Sequence, residues 1–179
     1  MDELEKQWLA SARQGDADAF GRLLSRYDRR LLAVARDLTG DWGDAQDAVQ
    51  EALVAAFRAL PGFRFESDFF TWLYRIVVNR ARRHRRARLS WSPVEAEAFA
   101  DPTAAADGPT LSAELERVLT RALGHLSGQE RAAFVLCHRQ GLSVAAAAAV
   151  LCCSEGSVKS YLFRARSKLR QLLGGYLES

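Results

Sequence analysis

The chain has 179 residues, 49% of them apolar, and carries 25 Lys and Arg against 22 Asp and Glu, a formal net charge of +3. That length allows one domain or two small ones, and the composition supports a packed core rather than disorder. No apolar run approaches the roughly 18 residues of a membrane span, and the acidic, polar opening MDELEKQWLASARQGD excludes a secretory signal, so the expected location is the cytoplasm.

Charge is distributed unevenly. Residues 1–51 hold eleven acids and seven bases, 75–88 hold seven arginines and no acid, 89–116 hold six acids and no base, and 159–170 are basic again. Two basic patches divided by an acidic stretch suit two contacts with one polyanion. Helical periodicity runs through almost every segment and strand alternation is absent, so the expected fold is all-α.

A first helix is expected from about residue 2 to 13. Asp16 then suits the N-cap of one long helix carrying Phe20, Leu23, Leu24, Tyr27, Leu31, Leu32 and Ala35 on one face and ending near Gly40. Asp44 suits the cap of the next, which stops at Pro61-Gly62. Its expected buried stripe is Val49, Ala52, Leu53, Ala56 and Leu60, which leaves Asp47, Gln50, Glu51 and Val54 together on the opposite face. An acidic face interrupted by an exposed apolar residue fits a partner surface; a solvated face is the plain alternative.

Six of the twelve positions 63–74 are aromatic, and the arginine block follows. Ser67 or Asp68 suits the cap of a helix that begins near Phe69. Phe69, Trp72, Leu73 and Ile76 fall at core spacing, with Phe69 and Leu73 the firmest interior positions. Duplex readout needs hydrogen bonders rather than rings, whereas unpaired bases stack on rings for about 1–3 kcal/mol each while arginines hold the backbone. Phe63, Phe65, Glu66, Ser67 and Trp72 are therefore candidates for handling a base. Asn79, Arg80 and Arg83 share a face that suits adjoining duplex, while Arg82, Arg85, Arg86 and Arg88 also fit a solvated charge run.

Residues 90–110 contain three of the four prolines and no apolar period, the mark of a flexible linker. The expected organisation is a domain at 1–89, a linker at 90–110 and a domain at 111–179. Helix resumes near Leu111 and runs to about Leu126; Ser127 and Glu130 fit a capping box. Ser143 suits the cap of an alanine-rich helix and Ser154 that of a final helix ending before Gly174-Gly175. The turn 152–155 between them has helix-turn-helix spacing. On the last helix Val158, Leu162, Ala165 and Leu169 should face the core, with Ser157, Lys159, Ser160, Tyr161, Phe163, Arg164, Arg166 and Lys168 available to DNA. No acid occurs between 157 and 173. Such a pair of helices also fits an ordinary repressor or a response-regulator output domain.

Cys137, Cys152 and Cys153 are expected as reduced, partly buried thiols. A metal site with His138 is the alternative, at a spacing that matches no familiar zinc pattern. With three histidines, no nucleotide-binding glycine loop and no acid/base pair, neither enzymatic chemistry nor a cofactor is expected.

The stretch FRFESDFFTWLYRIVVNRARRHRRAR resembles region 2 of the extracytoplasmic-function (ECF) sigma factors, the promoter-specificity subunits of bacterial RNA polymerase. LTGDWGDAQDAVQEALVAAFRALPGF resembles the same family's polymerase-binding helix, and LSGQERAAFVLCHRQGLSVAAAAAVLCCSEGSVKSYLFRARSKLRQLL its region 4. The resemblance implies that Asp47, Gln50 and Glu51, with Val54 beside them, meet the polymerase beta-prime coiled coil. It implies that the loop 63–68 pockets a flipped minus-10 base, that Asn79, Arg80 and Arg83 lie on adjacent DNA, and that Lys159, Ser160, Phe163 and Arg164 read the minus-35 element. Core polymerase (the beta-prime coiled coil and the beta subunit), promoter DNA both duplex and melted, and an anti-sigma factor holding the chain at the inner membrane are the implied partners. The chain departs from the family's usual pattern at Phe65 (often Gly), at the alanines of 144–149, at Cys152 (often a turn Gly) and at Tyr161 (usually Arg). A stand-alone duplex-binding regulator is the competing reading, and an RNA-handling helical protein a more distant one.

Overall fold

Asp2 starts the first helix by a capping box: its carboxylate accepts the Glu5 amide at 2.8 Å, and the Glu5 carboxylate accepts the Asp2 amide at 2.9 Å. The computed structural model describes residues 1–64, 68–91 and 111–177. Among them the elements are α1 (Glu3–Arg13), α2 (Ala17–Ser25), α3 (Asp28–Thr39), α4 (Trp42–Ala59), a 3₁₀ turn (Leu60–Gly62), α5 (Phe69–Trp91), α6 (Leu111–Gly124), α7 (Gly128–Phe134), α8 (Val144–Leu151) and α9 (Glu155–Leu177). All regular structure among these residues is helical, and a π-helical turn at Val135–Arg139 extends α7.

The single helix expected from Asp16 to Gly40 is two. Asp16 does cap α2, accepting the Ala19 amide at 2.9 Å, but the chain turns at Arg26-Tyr27. Tyr27 is pulled out of the periodic pattern by contacts remote in sequence. Its hydroxyl donates to Glu5 Oε1 at 2.8 Å, its ring lies 4.9 Å from that of Phe70, and Arg26 pairs with Asp2 and Glu5. Tertiary anchoring outweighs helical propensity here. Gly40 ends α3 in the left-handed conformation (φ 79°), where a side chain is costly.

Asp41, not Asp44, caps α4; its carboxylate accepts the Asp44 amide at 2.8 Å. The buried seam of α4 is also shifted from the expected one. Ala45, Ala48, Ala52 and Ala56 are each fully buried, whereas Val49 and Leu53 are half-buried at its flanks. Small side chains let α4 lie close against both α3 and α5. Asp68 begins α5 by accepting the Thr71 amide at 3.0 Å. Phe69, Leu73, Tyr74, Val77, Val78 and Ala81 then turn inward.

Ser127 and Glu130 form the expected capping box on α7, and Ser143 and Ser154 cap α8 and α9 through the amides of Ala146 and Ser157. α9 continues through Gly174 and Gly175 to Leu177, because an interior glycine costs a helix only about 1 kcal/mol and stops it only with a left-handed cap. α5 likewise extends over Ser90 and Trp91, the start of the expected linker; the rest of that linker lies outside the described residues.

The two halves share one hydrophobic core. α8 packs on α5, so Ala147, Ala148, Val150 and Leu151 join the cluster that holds Tyr74, Val77 and Val78, while Ala122, Leu123 and Leu126 form a smaller cluster with Ala165 and Leu169. Polar contacts reinforce the junction. The Tyr74 hydroxyl donates to Gln140 at 3.2 Å, Arg139 pairs with Asp37 at 2.6 Å, Arg131 Nε donates to the Asp37 carbonyl at 2.5 Å, and Arg85 donates to the carbonyls of Gly124 and Leu126. Burial pushes the Tyr74 hydroxyl up to about 12.

Cys152 ends α8 in the left-handed region (φ 52°, ψ 48°). A β-carbon there costs about 1–2 kcal/mol, and glycine gives back about 0.5–1 kcal/mol through the unfolded chain. Cys152→Gly should therefore stabilise the protein by up to about 1 kcal/mol, read from the midpoint of urea unfolding.

Candidate nucleic-acid interface

Three surfaces collect the residues singled out in the sequence. The first is a groove of about 570 Å³ along α4, lined by Asp47, Gln50, Glu51, Val54, Arg58 and Arg80. The four expected face residues are thus together, with Val54 exposed at 47%. Glu51 is not simply a solvent-facing acid. It accepts from Arg80 at 3.3 Å and Arg83 at 2.6 Å, and contacts His84 at 3.1 Å. Burial pushes its carboxyl up, but the bond and charge of His84 and the charges of Arg83 and Arg80 outweigh that, holding it below the usual range. The acidic face of α4 and the cationic face of α5 therefore meet at one carboxylate. Asn79, one turn before Arg83, is exposed beside them.

The second surface is a cavity of about 420 Å³ lined by Phe63, Arg64, Thr71, Trp72, Arg75 and Ala149. Phe63 and Trp72 are buried, at 5% and 9% exposure, with ring centroids 5.0 Å apart. Phe69 completes the cluster, 6.1 Å from Phe63 at an edge-on angle. Both candidate rings thus wall the cavity while also packing the core. Phe65, Glu66 and Ser67 lie outside the described residues. Sequence reasoning passed over Arg64 and Arg75, which place two guanidinium groups around the same cavity. Arg75 follows Thr71 by four residues, a helical turn that was available as a signal. Ala149 reaches the cavity from α8, so the second half of the chain forms part of its wall.

The third surface is the outer face of α9. Val158, Leu162, Ala165 and Leu169 are buried as expected, and Lys159, Ser160, Phe163, Arg164 and Arg166 are exposed. Phe163 is 74% exposed, and Lys159, Ser160, Phe163 and Arg164 surround a shallow recess of about 350 Å³. Arg164 lies over the Tyr161 ring at 5.3 Å and 3.6 Å from the Glu130 carboxylate. Tyr161 thereby orients a neighbouring cation. Ser157, near the helix start, shares a hydrogen bond with the capping Ser154 hydroxyl at 2.9 Å, and Ser160 donates to the Gly156 carbonyl. Lys168, expected on the outer face, reaches back to Glu130 at 2.8 Å.

Glu130 is the pivot of this half. Burial pushes its carboxyl up, but the bonds from Lys168 and from Ser127 overcome that, and it sits below the ordinary range. Cys137 and Cys153 are half-buried, Cys152 is exposed, and all three thiols are free. Burial pushes the Cys137 thiol up; it pulls His138 down, as does the charge of Arg166. Among the described residues no three His, Cys, Asp or Glu side chains gather as a metal site, and no helix is long and apolar enough to cross a membrane.

This geometry agrees with comparisons to known proteins. The Sigma-70 region 2 family matches residues 23–90, and the Sigma-70 region 4 family matches residues 116–169. The ECF RNA polymerase sigma-E factor of Escherichia coli strain K12 is 36% identical over 180 residues, covering 94% of each chain. The solved structure of CnrH in complex with the cytosolic domain of CnrY aligns with a TM-score of 0.73 at 32% identity, covering 97% of this chain and 99% of that one. The sigma factor RpoE in complex with the anti-sigma factor NepR from Bartonella quintana aligns with a TM-score of 0.68 at 29% identity, over 87% of this chain and 96% of that one. A helical bundle followed by a helix-turn-helix, matched by these two regions in this order, is the architecture of the sigma-70 class. With similarity across nearly the full length, the chain belongs to the ECF sigma factors.

Proposed function

We propose that this sigma factor binds core RNA polymerase through the α4 groove, holds a melted minus-10 base in the cavity walled by Phe63 and Trp72, and reads the minus-35 element with the outer face of α9. The observation that carries this reading is the exposed quartet Lys159, Ser160, Phe163 and Arg164 on a helix whose opposite stripe is fully packed. A cationic, hydroxyl-bearing face of that kind suits phosphate anchoring and base-edge contacts in the major groove. The chain supplies recognition and strand opening in the cytoplasm and performs no bond chemistry itself; polymerase does.

The arrangement described is closed. α8 forms part of the wall of the minus-10 cavity, and Arg80 and Arg83 are held by Glu51 rather than free for DNA. Engaging both promoter elements therefore requires Arg80 and Arg83 to exchange Glu51 for DNA and the α6–α9 half to leave the cavity wall on α5, with core polymerase fixing the new separation and joining two weak contacts into one strong one. An anti-sigma factor that keeps the halves together would hold the protein inactive; the likeness to a sigma factor solved with NepR supports this partner class.

Run-off transcription with core polymerase on a randomised promoter library tests the reading. Two enriched motifs at a fixed spacing are expected only when the protein is present; no initiation, with tight unaided duplex binding, overturns it. Within that assay Arg164→Ala should cost about 1–3 kcal/mol of discrimination at one upstream base pair. Uniform weakening across all upstream sequences would make Arg164 a phosphate anchor instead.

A further inference from the structure

Between the two halves lies a cavity of about 360 Å³ that none of the three surfaces uses. Arg82, Arg85 and Arg86 of α5 line one side, Gln129 and Arg131 of α7 line the other, and no acidic residue lines it. Arg131 is 1% exposed and Arg85 9%. Arg131 spends only Nε, on the Asp37 carbonyl, and both of its terminal nitrogens are buried without a partner. Arg85 gives one terminal nitrogen to backbone carbonyls and leaves Nε unpaired. The one acid close to Arg131, Asp37, has its carboxylate committed to Arg139. Gln129 Oε1 is also buried without a donor; with its amide turned over, a choice that heavy-atom positions leave open, it presents a further donor.

Buried guanidinium groups without acceptors are costly, and native proteins rarely keep them without a reason. The cluster shows its excess charge. Burial and the charge of Arg85 pull Arg131 down to about 9, with Asp37 opposing, and burial followed by a neighbouring arginine lowers Arg82 and Arg85 as well. Arg131 still carries its proton at neutral pH. Guanidinium groups that line one cavity from two helices suit the oxygens of phosphate groups, which reach the buried nitrogens of Arg131 and Arg85 by a small side-chain shift. The volume exceeds one tetrahedral anion and lies at the lower end of small-ligand sites, about 300–1,000 Å³. Leu38 and Leu89 add an apolar margin beside the arginines.

We propose that this cleft binds a small diphosphate-bearing molecule, inorganic pyrophosphate or the phosphate chain of a nucleotide, and that the occupied site clamps the α6–α9 half against α5. Donors from both halves are needed, so the ligand binds the closed arrangement and not the open one, and its binding shifts the population toward closure. The binding claim stands without the promoter-reading assignment and is testable on the chain alone.

The probe is sodium pyrophosphate, titrated into the full chain by calorimetry and followed by thermal unfolding, against sodium chloride at equal ionic strength. At a hundredfold excess over Kd the Tm should rise by about 5–10 °C. The guanidinium Nε–H signals of Arg85 and Arg131 should shift in NMR spectra. Arg82→Ala/Arg86→Ala removes two less buried members of the cluster and should weaken binding at least tenfold. Arg131→Met keeps volume while removing the orphan donors and should do the same; if it does not fold, the double variant carries the test. Binding no stronger than chloride overturns the proposal, as does unchanged binding by a folded variant. A short DNA duplex that binds with Arg131 dependence where pyrophosphate does not would assign the phosphate to DNA, and would equally overturn the small-molecule site.

Discussion

Val54→Glu should weaken binding to core polymerase by about 30-fold or more and abolish transcription from cognate promoters, while leaving Tm unchanged or slightly raised. Val54 is exposed in the α4 groove beside Asp47 and Gln50. In the free protein the substitution is benign: Glu is a better helix former than Val, and at four residues before Arg58 it gains a favourable pairing. At a desolvated interface the same carboxylate is buried without a partner, a penalty of about 2 kcal/mol or more, which is the 30-fold. Surface plasmon resonance against core polymerase, run beside thermal unfolding, separates the two effects. Unchanged affinity would remove α4 from the polymerase interface. Glu51→Lys is the less discriminating choice, because it sets an ammonium against Arg80, Arg83 and His84 and so disturbs the fold along with the interface.

What the sequence made legible follows the range of the forces involved. Caps rest on bonds three residues apart, and Asp16, Ser127, Ser143 and Ser154 are where residue type and spacing put them, while the α4 cap falls three residues early, at Asp41 rather than Asp44. The buried stripe of α9 follows from a single helical period, and Val158, Leu162, Ala165 and Leu169 are where that period puts them. Contacts between distant segments were not legible. Tyr27 breaks a helix because Glu5 and Phe70 hold it, and the alanine seam of α4 is set by how near α3 and α5 approach. The arginine block illustrates both cases. Read as one charge run, it divides by helical phase into Arg80 and Arg83 on Glu51, Arg88 on Asp41 and Asp44, and Arg85 buried against α6 and α7. Composition cannot make that division, since each destination depends on a partner between 29 and 47 residues away.

Glu130→Ala should destabilise the protein by about 2–4 kcal/mol and weaken the proposed minus-35 recognition by α9. One buried carboxylate serves two elements: it closes the capping box of α7 and it holds Lys168 and Arg164 of α9. Loss of the cap costs about 0.5–2 kcal/mol, and loss of a charge-assisted bond about 1.5–3 kcal/mol, the two overlapping because they share a side chain. Glu130→Gln is the informative partner, since an amide oxygen can still accept the Ser127 amide but no longer neutralises Lys168. It should recover the cap's share of stability and little of the recognition. The pH dependence has a definite sign. The folded-state carboxyl titrates below its ordinary value of 4.5, so its contribution is complete above that value and is lost as pH falls below it through the folded-state pKa. Urea unfolding between pH 3 and 7 should accordingly show the gap between wild type and Glu130→Gln closing on the acid side. A gap that stays constant across that range would mean that Glu130 acts by packing alone. Arg164 would then owe its position to Tyr161 rather than to a charge behind α9.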